Sequence, residues 1–157
     1  MRVLLAVDGS AHSDAAVEEV ASRQWPSGTE VEVLTVVHSN VPLLPDPAFV
    51  MAAIRVERTH ELLEQAPKLV DPAADRIRRQ APQLTVVTKV LEGSPAAVIL
   101  KEAADWGADL IVLGSHGRSP VRQALLGSVA SGVAAAAGCT VEIIKRGRPT
   151  ATVRGGA

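Results

Sequence analysis

The chain is expected to form an α/β fold: a parallel sheet with helices on both faces. Two observations predict this. Five β-rich runs alternate with helical patterns in the order β-α-β-α-β-α-β-α-β. The first and fourth runs, RVLLAV and DLIVL, are continuously apolar after their first residue, the pattern of strands covered on both sides. Right-handed crossovers then fix most of the topology.

The elements follow in order. RVLLAV at 2–7 is bounded by DGS and reads as a strand. Residues 10–24 read as a helix capped by Ser10 or Ser13, with Val17, Val20, Ala21 and Gln24 at helical spacing. Pro26, Ser27 and Gly28 end it, and TEVEVLTVV at 29–37 is the second strand. Three prolines make residues 39–47 a loop. A long helical pattern starts near Ala48 and keeps Leu62, Ala66, Leu69, Ala73 and Ile77 on one face. Pro67 and Pro72 predict a kink or break between 66 and 72, and Asp71-Pro72 is suited to restart a helix.

LTVVTKVLEG at 84–93 is the third strand. Ser94-Pro95 opens a helix that Gly107 ends. ADLIVLG at 108–114, the most uniformly apolar strand, belongs at the centre of the sheet. A glycine-rich loop, a short helix at 128–137 and a last strand, TVEIIK at 140–145, complete the pattern. One domain is expected over residues 1–146, and the Gly/Pro/Thr-rich tail at 147–157 is expected to be frayed.

Composition narrows the function. With 157 residues, 47% of them apolar, the chain can bury a real core. Aromatics are 2%, with no Tyr, which argues against a base-stacking surface for single strands. The net charge of −1 and the lack of a long basic run argue against nucleic acid or anionic lipid as partner. Cys139 is the single cysteine, so the chain has no internal disulfide, as fits a reducing compartment. Asp8, Asp14, Glu18 and Glu19 near the start are incompatible with a signal peptide or a membrane span. A soluble cytoplasmic protein is expected.

Residues 114–128, GSHGRSPVRQALLGS, carry the chemistry. Gly114 and Gly117 follow a strand, and Gly127-Ser128 stands where a helix begins. Glycines there let backbone amides form an anion nest, and the helix start adds free N–H groups, a positive dipole and the Ser128 hydroxyl. The spacing is neither GxGxxG nor GxxxxGK[ST]. Tight turns and close helix–strand packing account for such glycines equally well. Ligands in open parallel sheets bind beyond the carboxyl ends of the strands, where strand order reverses. If strands 1 and 4 are neighbours, VDGS and GSHG meet over one crevice. Asp8 can then accept from an adenine amino group or a ribose hydroxyl, or bind a metal bridging phosphates.

Other residues read more plainly. His116 lies in the loop with no orienting partner nearby in sequence, so it is read as solvent-facing or next to phosphate. Ser10, His12 and Asp14 cannot align as a relay, because residues two apart on a helix diverge. Arg118 is the most plausible charged phosphate contact, with Arg122 weaker. Cys139, Trp25 and Trp106 read as packing residues, and His60 with its charged neighbours as a solvated helix face.

The pattern G-x-x-G, nine residues, G-[ST], spelled by Gly114, Gly117, Gly127 and Ser128, resembles the ATP-binding signature of the universal stress protein family. RVLLAVDGSAHSDAAV at 2–17 resembles that family's first strand and helix, and EGSPAAVILKEAADWGADLIVLGSHGR at 92–118 its third helix and fourth strand. The resemblance covers about residues 1–146. It implies five parallel strands in the order 3-2-1-4-5. It also implies ATP, with Mg2+ or Mn2+, as ligand. By motif position, Ala6, Val7 and Asp8 line the adenine and ribose end, and Val36 packs on adenine. Gly114, Ser115, Gly117 and Arg118 run along ribose and phosphates, and Gly127, Ser128 and Val129 close over the phosphates. Asp8 is the weak metal candidate. His38 stands where relatives often carry an acid.

In this topology TVEIIK lies at a sheet edge, a hazard unless covered. The resemblance implies that a second copy's strand covers it, giving a twofold homodimer through Val141 and Ile143. The expected role is a stress-response binding or signalling module with at most slow ATP hydrolysis. The alternatives are a dimeric interaction module with a non-functional pocket, or an adenylyl-transfer enzyme. The enzyme class carries an SGGxDS-type loop after strand 1, where this chain has VDGSAHSD.

Overall fold

The computed structural model describes residues 1–38, 61–117 and 126–145, together with the backbone of 148–153. Arg118 and Arg122, two of the sequence-predicted positions, lie outside the described residues, as does His60. Strands β1 (Arg2–Ala6), β2 (Glu30–Val37), β3 (Thr85–Glu92), β4 (Leu110–Gly114) and β5 (Thr140–Lys145) are parallel in the order 3-2-1-4-5. Helices α1 (Ala11–Ser22) and α2 (Pro67–Gln80) cover one face, and α3 (Pro95–Trp106) and α4 (Ser128–Ala136) the other.

Alternation along the strands splits the core in two. Val3, Leu5, Val31 and Val33 face α1 and α2, where they meet Val17, Val20, Ala74 and Ile77. Leu4, Leu34, Ile111 and Ile143 face α3 and α4, where they meet Ile99, Ala103, Ala130 and Val133. The strand expected at the centre, β4, lies between β1 and β5, and its first four residues are buried. Trp25 and Trp106 pack against the two cores, as expected.

Helix ends follow local chemistry. Ser10 caps α1 by accepting from the Ser13 N–H at 3.2 Å. Gly107 ends α3 in the left-handed conformation, φ 71°, and its N–H reaches the Ala103 and Ala104 carbonyls.

Two expectations need correction. Residues 61–65 are helical, Ala66 is a turn, and α2 restarts at Pro67 rather than at Asp71-Pro72. Pro67 occupies the first helical position, where a missing N–H costs nothing. Pro72 sits inside α2 without ending it. It forfeits one intrahelical bond, while Val70, Ala73, Ala74 and Ile77 keep a continuous buried face around it.

The second correction concerns the sheet edge. Residues Arg148–Val153 form β6, antiparallel to β5. The sheet therefore has six strands, and β5 is an interior strand rather than an edge. The open backbone edge of β5 is a template that the chain itself fills with its next extended segment.

Candidate functional site

β1 pairs with both β2 and β4, so the strand order reverses at its carboxyl end. The turns after β1 and β4 meet there, as the sequence suggests for neighbouring strands. Ser10 Oγ donates to the His116 carbonyl at 3.2 Å. A Cβ on Gly117 would lie 2.7 Å from Asp8 Oδ2. The other Asp8 oxygen accepts from the Ser10 N–H at 3.0 Å, which fixes the carboxylate beside the loop.

A cleft of about 940 Å³ opens at this switch point. Its apolar wall comes from Leu34, Val36, Ile99 and Leu113, and its polar end from Asp8, Gly117, Gly127 and Ser128. Of the sequence-predicted residues described here, Ala6, Val7, Asp8, Val36, Gly114, Gly117, Gly127, Ser128 and Val129 all line it.

The polar end is built from backbone. Gly127 donates its N–H to the Ser115 carbonyl at 2.8 Å, closing the glycine loop. Gly127 is also the N-cap of α4 and offers no side-chain cap. The first intrahelical bond runs from the Ser131 N–H to Gly127. The amides of Ser128, Val129 and Ala130 precede it, lack intrahelical partners and line the cleft. A helix start of this kind attracts anions through its amides and its dipole.

The three glycines differ in what they do, and none needs a left-handed backbone. A Cβ at Gly114 would stand 2.7 Å from the His12 carbonyl carbon and 2.8 Å from the Ser13 nitrogen. Gly114 is thus a packing residue that lets β4 lie against the start of α1. Gly127 would meet the Ser115 carbonyl at 3.2 Å. Gly117 differs from both in facing the charged end of a side chain, the Asp8 carboxylate, rather than mainly backbone.

Ser115 stands apart from the other predicted positions. It is 1% exposed and does not line the cleft. Its N–H donates to Ile144, its carbonyl accepts from Gly127, and its hydroxyl lies 3.3 Å from His12 Nδ1 and 3.1 Å from His116 Nδ1. His116 therefore has an orienting partner after all, from its own neighbour and from α1. The two imidazoles are tilted by 45° with centroids 5.2 Å apart, and His116 also lines the cleft. No local pattern signals this group, because His12 and Ser115 are 103 residues apart.

Other wall residues also went unread: Thr35, Lys68, Ser94 and Pro95. Thr35 Oγ1 donates to the Val7 carbonyl at 2.8 Å and holds β1 against β2 at the cleft floor. His38 lines the cleft at its β2 end. Cys139 lies outside the cleft, and burial pushes its thiol above the usual range, as suits a packing residue.

Among the described residues, no group of three or more His, Cys, Asp or Glu side chains is arranged to hold a metal, and no helix is long and apolar enough to cross a membrane. Val141 and Ile143 are each 1% exposed, buried against α3 and α4.

Comparison with known proteins agrees with this geometry. The sequence profile of the Universal stress protein family matches residues 1–145. A universal stress protein of Thermus aquaticus is 33% identical over 150 residues, covering 91% of this chain and 97% of the relative. Mycobacterium tuberculosis relatives are 30% identical, and the match spans 47% of their length. Among solved structures, the MJ0577 protein of Methanocaldococcus jannaschii superposes with a TM-score of 0.79 at 24% identity, over 94% of this chain and 96% of that one. A universal stress protein from Arabidopsis thaliana, solved with AMP bound, gives 0.54 at 19% identity, over 93% and 92%. The chain belongs to the universal stress protein family.

Proposed function

We propose that the cleft binds ATP and that the protein acts as a nucleotide-dependent binding module in the stress response. One observation carries this reading. The uncapped start of α4 and the glycine loop face the same cleft as the apolar wall of Leu34, Val36 and Ile99. Phosphates suit the first and a purine the second. A structural neighbour with AMP bound supports the class of ligand. Arg118 is proposed to join the phosphate contacts, and Ser115 to support the loop from behind through its carbonyl. Mg2+ or Mn2+ would arrive on the nucleotide, since Asp8 is the one carboxylate among the described cleft residues.

Efficient catalysis is not part of the proposal. The Ser115 hydroxyl, which two imidazoles flank, does not line the cleft. At most slow hydrolysis is expected, and a cytoplasmic setting fits the single cysteine. The homodimer through Val141 and Ile143 is proposed with one change: β6 must leave β5 before a second copy's β5 can pair there. Sedimentation as a monomer at micromolar concentration overturns that part.

The test of the main reading is a thermal melt of nucleotide-stripped protein with and without Mg-ATP. At 100 times its dissociation constant, ATP should add about 2.7 kcal/mol, roughly 5–11 °C for a chain of this size. Gly117→Val, which pushes a side chain onto Asp8, should lose the shift and keep a cooperative melt. No shift at millimolar ATP in the wild type overturns ATP as ligand. An unchanged shift in Gly117→Val removes the loop from the phosphate site.

A further inference from the structure

Glu32 stands in β2 on the face that carries α3 and α4, between Leu4 of β1 and Val87 of β3. Its side chain is 5% exposed. The nearby cation is Lys89 of β3, on the same face, and that cation is shared. Lys89 Nζ lies 2.7 Å from Glu102 Oε1 of α3 and 3.9 Å from Glu32 Oε2. Among the described residues, Glu32 Oε1 is buried with no hydrogen-bond partner. The Glu32 and Glu102 carboxyls thus converge on one ammonium group.

Among the described residues, the arrangement has one donor too few. Two ionised carboxylates offer only acceptors, and one ammonium group, itself 41% exposed, serves both. A single proton resolves this. Protonating one of the two acids turns an acceptor into a donor and removes the like-charge contact.

We propose that Glu32 and Glu102 bind one proton between them, and that this proton helps fasten α3 to the sheet. The first turn of α3, with Ser94, Pro95 and Ala96, forms part of the cleft wall, so the proton site sits on a strut of the binding cleft. Burial first, and then the Glu102 charge, raise the Glu32 pKa above the ordinary glutamate range, with Lys89 opposing. The surrounding charges are few. Lys101 and Asp105 on α3 are exposed and pair with each other. Glu30, two residues back on β2, is exposed and lies 3.5 Å from Arg2. Toward the interior α3 presents Ile99 and Ala103, and β1 presents Leu4.

The sign of the linkage follows. The folded chain holds this proton more tightly than the unfolded chain. The stability it contributes is complete at and below the ordinary glutamate range and is lost as pH rises through the raised folded value. Each unit by which that value is raised is a tenfold change in the unfolding constant across the window.

The experiment is a carboxyl-carbon NMR titration of the full chain labelled at glutamate, from about pH 4 to about pH 9. The Glu32 resonance should titrate above the ordinary glutamate range in the wild type and move down in Glu102→Gln. Urea unfolding gives a second readout: wild-type stability should fall as pH rises above the ordinary glutamate range. Glu32→Gln, which mimics the protonated acid, should lessen that fall. An ordinary Glu32 midpoint in the wild type overturns the proposal without any variant. So does a midpoint indifferent to Glu102→Gln, or a fall in stability unchanged by Glu32→Gln.

Discussion

Glu142 and Glu32 are buried on opposite faces of one sheet, and the protein neutralises them by different means. Glu142, in β5, faces α1, where the Arg23 guanidinium grips both of its oxygens, one at 2.8 Å. Glu19 and the Trp25 ring hold that guanidinium from its other sides. Glu32, in β2, faces α3, where it shares one lysine with another carboxylate and leaves an oxygen unpaired. Their side-chain exposures, 7% and 5%, are nearly equal. Burial alone therefore does not set the state of a carboxylate; the donors around it do. A planar fork that matches a carboxylate holds it ionised, whereas a point charge split between two acids leaves room for a proton. The Glu142 hydrogen bond, more than any other cause, raises the Arg23 pKa. The stability from that shift is present across the neutral range and is lost only in strong alkali. Of these two sites, only the Glu32 side should lose stability as pH rises just above the ordinary glutamate range.

The comparison breaks most directly if Glu142 loses its cation. Arg23→Met strands a carboxylate that water barely reaches. Removing one partner of a buried pair costs about 3–5 kcal/mol, and the 29% exposure of Arg23 places this case near the lower figure. Thermal melts should fall by roughly 6–12 °C. A loss below about 1 kcal/mol would mean that Arg23 is not what neutralises Glu142.

The two faces also differ in how closely their helices approach, and the same substitution on each sharpens this. Gly114→Ala drives a Cβ into the backbone of His12 and Ser13, which cannot swing aside. We expect a loss of about 2–3 kcal/mol in urea unfolding. A neutral result would mean that α1 can retreat from β4. On the other face Gly132 of α4 opposes Ala96 of α3, and a Cβ there would stand 3.2 Å from the Ala96 methyl. Gly132→Ala gains helix propensity of about 1 kcal/mol and gives most of it back in crowding. The net change should stay within about 0.5 kcal/mol. A larger loss would show that α3 and α4 are as tightly set as α1.

Much of the fold was legible in the sequence because it rests on local patterns. The apolar runs of β1 and β4 announce strands covered on both faces. Ser10 and Gly107 mark helix ends through short-range hydrogen bonds and backbone conformation. The glycine loop was visible from spacing, and nine of the residues that the family resemblance proposes for the ligand line the cleft. Misreadings arose where a distant partner decides. Pro72 passes as a helix break until the buried face of α2 is seen to continue through it. TVEIIK passes as an edge until β6 is seen to occupy it.

The sequence by itself determined the order of elements, the alternation that divides the core and the position of the glycines, because each depends on neighbours within a few residues. Tertiary structure alone decided the rest. It turned Ser115 away from the cleft toward two histidines, made Gly114 a packing residue while Gly117 met Asp8, and set Glu32 against Glu102. Those outcomes depend on which groups meet across strands and helices far apart in the chain. Charge and hydrogen bonding act over a few ångströms of space, whatever the separation in sequence.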